Sequence, residues 1–180
     1  MAQRHDEFLK LGGRLYAISA DTAEQNAAMI EKLALPYPIL ADPGRDRAIT
    51  PLGFADEKDP RQISRPGTVI VSPDGEISFR VSGRDFADRP DEEIILEALR
   101  NLNLEPTTQG SPAVGEAQPG EKAMALEGLL SYYRGAKFAV LALRSRYREL
   151  SEDFRDDAKA YAQMVDRYIE ALSAVEDRSP

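Results

Sequence analysis

Short apolar runs alternate with polar segments through the first third of the chain. Residues 2–11 are polar at first, place their apolar residues late and end at Gly12 and Gly13, which predicts the tail of a helix with a glycine C-cap. Residues 14–19 are rich in strand formers and predict a buried strand. Asp21 is the expected N-cap of the helix that follows.

The clearest hairpin pattern lies between residues 68 and 81. Two β-patterned runs, 68–71 and 76–81, flank the sequence Ser-Pro-Asp-Gly, in which proline presets the turn and glycine accepts its positive φ. A helix from Asp91 to about Leu102 follows, with an acidic first turn that suits the helix dipole. This order of elements predicts a mixed α/β domain over residues 1–104.

The composition then changes to Pro, Gly, Thr, Gln and Ser without apolar periodicity, which predicts a flexible linker over residues 105–120. In residues 121–180, apolar residues recur at intervals of three and four from Leu143 to Val175, which predicts a long amphipathic helix. A shorter helix from Met124 to Tyr133 precedes it, and we expect Gly135 to interrupt that shorter helix. The expected result is a helical hairpin or a kinked arm.

Composition excludes several classes of function. The net charge of -8 argues against nucleic acid as the main partner, since phosphate binding needs a basic face. The chain contains no cysteine, so it has neither a nucleophilic thiol nor a thiolate metal site. His5 is the only histidine and is expected to be a solvated helix residue. The acidic stretch from Asp42 to Asp59 lacks calcium-loop spacing and predicts a solvated loop, so no metal and no cofactor is expected.

The sequence contains no pattern typical of a secreted or membrane-spanning protein. The first residues are polar and mixed in charge, unlike a secretory signal, and the longest apolar run, 138–143, is far shorter than the roughly 20 residues of a membrane span. We therefore expect a cytoplasmic protein. The basic residues around that run favour either a helix docked on protein or, less strongly, a contact with anionic lipid: Arg134, Lys137, Arg144, Arg146 and Arg148.

Three local sequences, in this order, resemble peroxiredoxins of the alkyl hydroperoxide reductase C/thiol-specific antioxidant type. They are YAISAD from Tyr16, LPYPILADP from Leu35 and SRPGTVIVSPDG from Ser64. The resemblance covers about residues 2–102 and implies an α/β, thioredoxin-like fold that is incomplete at its N-terminus and carries a C-terminal helical arm. In that family a first strand and a loop with the peroxidatic cysteine precede the helix whose tail is residues 2–11. Both are missing here.

The same resemblance implies two site residues. Arg65 lies where the family often places an arginine that stabilises the thiolate and polarises the peroxide, with an alternative as a surface arginine at a strand start. Pro66 resembles the proline that thioredoxin-fold proteins hold in cis beside the active site, with an alternative as a trans edge proline.

Two hypotheses follow for function. The first is a redoxin-type, thiol-dependent antioxidant oxidoreductase, present here as a shortened form that starts at an internal methionine and lacks activity; a thioredoxin-type reductant would then serve only a longer, cysteine-containing form. The second is a non-catalytic thioredoxin-fold binding or scaffold protein. In this hypothesis residues 121–176 self-associate into a homo-oligomer, because an apolar seam of that length is costly to leave in water.

Overall fold

A computed structural model describes residues 1–84 and 88–176. The chain divides into two compact units, Met1–Gly120 (unit 1) and Glu121–Pro180 (unit 2). The last four residues of the expected helical arm, 177–180, lie outside the described residues. After a short 3-10 helix, the elements of unit 1 are α1 (His5–Lys10), β1 (Ala17–Ser19), α2 (Ala23–Leu33), β2 (Ile39–Ala41), β3 (Gly67–Val71), β4 (Ile77–Ser82) and α3 (Glu92–Arg100). Unit 2 contains α4 (Leu126–Arg146) and α5 (Glu152–Glu176).

The expected helix tail and its glycine cap are confirmed. Helix α1 ends at Lys10, and Gly12 follows with a φ of 79°, a conformation that costs glycine least. The N–H of Gly13 donates to the carbonyl of Phe8 at 2.9 Å. This bond satisfies one of the last carbonyls of the helix, as a glycine C-cap should.

Strands β1 and β2 form a parallel pair with Ile18 opposite Leu40. The N–H of Ala17 donates to the carbonyl of Pro38, and the carbonyl of Ser19 accepts from the N–H of Asp42. Backbone groups alternate in direction along a strand, so those of Ile18 point to the other edge of β1. No further strand pairs with β1 among the described residues. The prediction of a buried strand over residues 14–19 is therefore wrong: the strand is half-covered, and Tyr16 before it is 57% exposed.

Strands β3 and β4 form the expected antiparallel hairpin. Its register pairs Thr68 with Val81 and Ile70 with Phe79, and the N–H of Gly75 closes the turn on the carbonyl of Ser72 at 2.9 Å. The backbone N–H and carbonyl groups of Thr68 and Ile70 point to β4. Since these groups alternate in direction along a strand, those of Gly67 and Val69 point to the other edge of β3. That edge of β3 has no strand partner among the described residues.

The core of unit 1 lies between α1, α3 and the β3–β4 hairpin. Its centre is four buried residues: Phe8, Ile95, Leu96 and Leu99. Partly buried side chains that precede β1 or lie on the hairpin pack against that centre, among them Leu15, Ile70 and Phe79. The hairpin and the chain leading into β1 therefore share one helical layer, although β1 and β3 do not pair with each other.

The N-terminus of α2 corrects the expected cap. Thr22, not Asp21, is the N-cap: its side chain accepts from the N–H of Gln25 at 3.3 Å, and Gln25 accepts from the N–H of Thr22 at 3.0 Å. This reciprocal pair is a capping box. The sequence has two adjacent cap formers, each with a capping-box partner three residues later, Glu24 for Asp21 and Gln25 for Thr22, and the folded chain uses Thr22.

Asp42 corrects the expectation that the acidic stretch is a solvated loop. Its carboxylate is 2% exposed and accepts three backbone N–H groups, those of Ile49 and Ala48 at 2.9 Å and that of Arg47 at 3.2 Å. These hydrogen bonds, the one from Ile49 above all, hold the pKa of Asp42 below its ordinary value despite the opposing effect of desolvation. Asp42 thus fixes the loop that follows β2.

Residues 105–120 contain neither helix nor strand, yet they bond to the rest of unit 1. The N–H of Thr107 donates to the backbone carbonyl of Leu9, and the N–H of Gln118 donates to the backbone carbonyl of Glu24. The side-chain amide of Gln109 accepts from the N–H of Leu15 at 2.9 Å and donates to its carbonyl at 2.6 Å. A composition that predicts a linker gave no sign of these bonds.

Unit 2 is a helical hairpin whose break differs from the expected one. Helix α4 runs through Gly135, and the interruption falls between Arg146 and Glu152. Ser151 explains the break, because its hydroxyl accepts from the N–H of Phe154 at 3.3 Å in the manner of an N-cap. Within the hairpin the rings of Tyr133 and Tyr168 lie 5.4 Å apart. No helix among the described residues is both long and apolar enough to cross a bilayer.

Candidate functional site

Arg65 lies immediately before β3, where a short antiparallel bridge joins Ala55 to Ser64. Its N–H donates to the carbonyl of Phe54 at 2.7 Å, and its Nη2 donates to the carbonyl of Gly53 at 3.1 Å. Its Nε is buried and has no hydrogen-bond partner among the described residues. A buried donor without a partner is costly, so Arg65 retains an unused donor for a further acceptor.

A second guanidinium reaches the same carbonyl. Arg80, on β4 opposite Val69, donates from Nη2 to the oxygen of Gly53 at 3.3 Å. Its guanidinium carbon lies 5.2 Å from the ring centroid of Phe54, within the range of a cation–π contact. Sequence reasoning missed Arg80, which lies opposite the middle of β3 and reaches the carbonyl of Gly53 only in the folded chain.

Gly53 makes this convergence possible. It has a φ of 69°, and a Cβ built on it would lie 2.5 Å from Nη2 of Arg80. Any larger residue would displace the arginine or strain the backbone. The positive φ sets the preference for glycine, and the guanidinium that fills the space beside it comes from a residue 27 positions later in the chain.

The pair is electropositive and unneutralised. Neither Arg65 nor Arg80 forms an ion pair within the described parts of the chain, whereas Arg4, Arg61 and Arg100 each pair with a carboxylate. Two cations sharing one carbonyl favour an anion or a polarised oxygen nearby. The arrangement can therefore stabilise a thiolate, a carboxylate or a peroxide oxygen.

Pro66 does not adopt the cis form that the resemblance implied. There is no cis peptide bond in the described residues, so the bond before Pro66 is trans. The carbonyl of Pro66 accepts from the N–H of Gly83 at 2.7 Å, which extends the β3–β4 ladder by one pair. The extended trans chain makes this bond while it enters the hairpin, and trans is the ordinary preference of proline.

His5 is not the solvated residue that the sequence predicted. It is 8% exposed, its Nε2 lies 3.1 Å from Oε1 of Gln109, and its ring centroid is 6.1 Å from that of Tyr37. Burial, and to a smaller degree the charge of Glu92, raises the pKa of Tyr37. His5 was mispredicted because its partners come from distant parts of the chain. No group of three or more potential ligands in the described residues could hold a metal ion.

The nucleophile of a thiol enzyme is absent from this chain, since it contains no cysteine. Residues 1–80 match the AhpC/TSA family. The match includes α1, both strands of the parallel pair and the β3–β4 hairpin as far as Arg80. None of the curated proteins compared with the chain matches it.

The match confirms the peroxiredoxin-like, redoxin-type resemblance for residues 1–80. The mixed α/β unit 1 and the helices of unit 2 are consistent with a thioredoxin-like redoxin fold followed by a C-terminal helical region. Both Arg65 and Arg80 fall within the matched region. The roles of Arg65 and Pro66 remain predictions.

Proposed function

We propose that unit 1 is a redoxin-type body for thiol-dependent antioxidant oxidoreduction, and that it acts only together with a cysteine that this chain does not contain. The family match and the unused, buried Nε of Arg65 support this proposal. In the proposed reaction Arg65 stabilises the thiolate and polarises the peroxide oxygen, and Arg80 adds positive charge from the open side. The thiolate is the nucleophile, so the chain alone has no peroxidase activity by this route.

The proposal includes a place for the missing part. Among the described residues, β1 and β3 each have one edge without a strand partner. Leu15, just before β1, and Ile70 of β3 pack against the same core of α1 and α3 side chains. One extended segment paired with both edges would join the two strand pairs into a single sheet and cover exposed apolar residues such as Ile18. A loop leaving that segment toward α1 would carry the cysteine, and its reductant would be a thioredoxin-type protein. We further propose a cytoplasmic location.

The test is to extend the chain before Met1 with the strand and cysteine loop of an AhpC/TSA family protein, and to follow peroxide consumption with a dithiol reductant. We expect turnover from the extended chain, and none from the chain alone or from an extension with serine in place of cysteine. Arg65→Ala in the extended chain should lower the rate by about 10²-fold or more, as loss of an oriented donor does. It should also raise the pKa of the thiol.

Hydrogen exchange provides the folding control. If the extension pairs as proposed, amides of Ile18 and Val69 become protected from exchange. An extended chain that shows this protection but consumes no peroxide would refute the redox function. An extended chain without the protection would refute the proposed place of the strand.

A further inference from the structure

Helix α4 has an uncharged stripe that the described residues leave largely exposed. Five positions spaced by three and four residues share one side of the helix: Leu129, Tyr132, Ala136, Ala139 and Leu143 (the α4 seam). Tyr132 is 57% exposed, Leu143 is nearly half exposed, and no residue of α4 is buried. Leu129 and Ala136 are half-buried and lie beside the side of α4 that contacts α5 through Tyr133 and Lys137. The ring of Tyr132 also lies 5.5 Å from that of Tyr133. Tyr132, Ala139 and Leu143 form the exposed part of the seam.

The spacing is that of the helix pairs in coiled coils, where apolar residues repeat every 3.5 positions on average. The seam extends over about 21 Å at 1.5 Å per residue. Its large residues stand toward the ends and its alanines in the middle, which permits close approach of another helix at the centre. A seam of this kind is costly to expose and fits an equally uncharged helix.

We propose that the α4 seam docks on the α4 seam of a second copy of this chain, with the two helices antiparallel. The seam is complementary to itself in that direction. When Ala136 of one copy faces Ala139 of the other, Tyr132 faces Leu143, because both pairs are symmetric about the same point. A two-fold axis there makes every contact twice, as in the isologous interfaces of homodimers.

Charge favours a second copy over a membrane surface. Unit 2 contains ten basic and eleven acidic residues, so two copies meet with little net repulsion through it. An anionic bilayer gains no net attraction from the nearly balanced charge of unit 2. The basic residues of α4 also lie mostly off the seam, and one of them, Lys137, pairs with Asp166 at 2.5 Å. An interfacial helix would need its cations free to reach lipid headgroups.

Mass measurement of the full chain by light scattering after size exclusion tests the proposal. We expect twice the monomer mass of 19.9 kDa for the native chain. Leu143→Glu places a charge in the seam and should raise the dissociation constant of the dimer by more than about tenfold. The matched control is Phe138→Glu, which alters the most exposed large residue of α4 (76%) but lies off the seam, so it should leave the dimer intact.

Both altered side chains are exposed, so the helical content measured by circular dichroism should not change. A second test uses the absence of cysteine. An oxidised equimolar mixture of Ala136→Cys and Ala139→Cys chains should yield a mixed disulfide dimer, whereas Phe138→Cys alone should not. A native chain that stays monomeric would overturn the proposal, and so would equal weakening by both glutamate variants. Binding of a monomer to anionic vesicles through Leu143 would assign the seam to lipid instead.

Discussion

Units 1 and 2 leave different chemical groups uncovered. Unit 1 buries side chains around Phe8 and Leu96 but leaves backbone donors and acceptors open along β1 and β3. Unit 2 satisfies its backbone within helices but leaves apolar side chains such as Tyr132 open. An unpaired strand edge can be satisfied only by another extended segment, whereas an apolar helix stripe needs only another apolar surface. The two units therefore call for partners of different kinds.

Removing the centre of the unit 1 core should have the largest effect. Phe8→Ala deletes a side chain that is 1% exposed and packs against α3, so we expect a loss of about 3–5 kcal/mol in the free energy of unfolding of unit 1. Denaturant titration followed by hydrogen exchange can assign the loss to unit 1. Phe138→Ala removes the same side chain from an exposed position and should change stability by less than about 0.5 kcal/mol. Similar losses from both variants would contradict the assigned core.

The next largest effect should come from Asp42. Its folded-state pKa lies below the unfolded value of about 3.9, so the ionised carboxylate stabilises the fold above that pH and the contribution is lost as the pH falls through the folded pKa. Asp42→Asn should therefore lower the midpoint of thermal unfolding at pH 7. The gap between variant and native chain should narrow below about pH 4. A gap that stays constant with pH would show that the charge of Asp42 is unimportant.

Local patterns predicted the helices and strands of this protein well but did not predict which polar side chains are buried. The hairpin turn at Ser72, the glycine cap of α1 and the acidic start of α3 each depend on residues a few positions apart. His5 and Asp42 were expected in solvent because their types are usually solvated. Whether such a residue is buried depends on hydrogen-bond partners that only the folded chain brings to it.

The candidate site also contains one residue that the sequence pointed to and one that it did not. Arg65 was predicted from the resemblance of the sequence around it, and its role remains a prediction. Arg80 was not found, because its role depends on the carbonyl of Gly53 and on the pairing of β4 with β3. The break between α4 and α5 was misplaced because the apolar spacing continues through it. Only the hydroxyl of Ser151 interrupts the pattern, and a single cap former is a weak signal within a periodic stretch.

Capping of α2 offers a smaller effect with an internal control. Thr22→Ala removes the acceptor for the N–H of Gln25 and should cost unit 1 about 1 kcal/mol. Asp21→Ala alters the neighbouring residue, whose side chain does not cap the helix, and should change stability by a few tenths of a kcal/mol at most. Chemical denaturation of the two variants at neutral pH measures both values. A larger loss from Asp21→Ala would restore the original expectation for this helix.

Substitution of Gly135 should have the smallest effect on the free energy of unfolding, and it should increase stability. It lies inside α4 with no atom within 4 Å of a built Cβ, so Gly135→Ala adds a methyl group without a clash and restricts the unfolded chain. We expect unit 2 to gain about 0.5–1 kcal/mol, seen as slower amide exchange along α4. Gly67→Ala in β3 is the contrast, because its Cβ would lie 2.3 Å from the ring of Phe54 and should destabilise unit 1. A loss of stability from Gly135→Ala would mean that the helix is interrupted at Gly135 after all, or that another chain approaches α4 on that side.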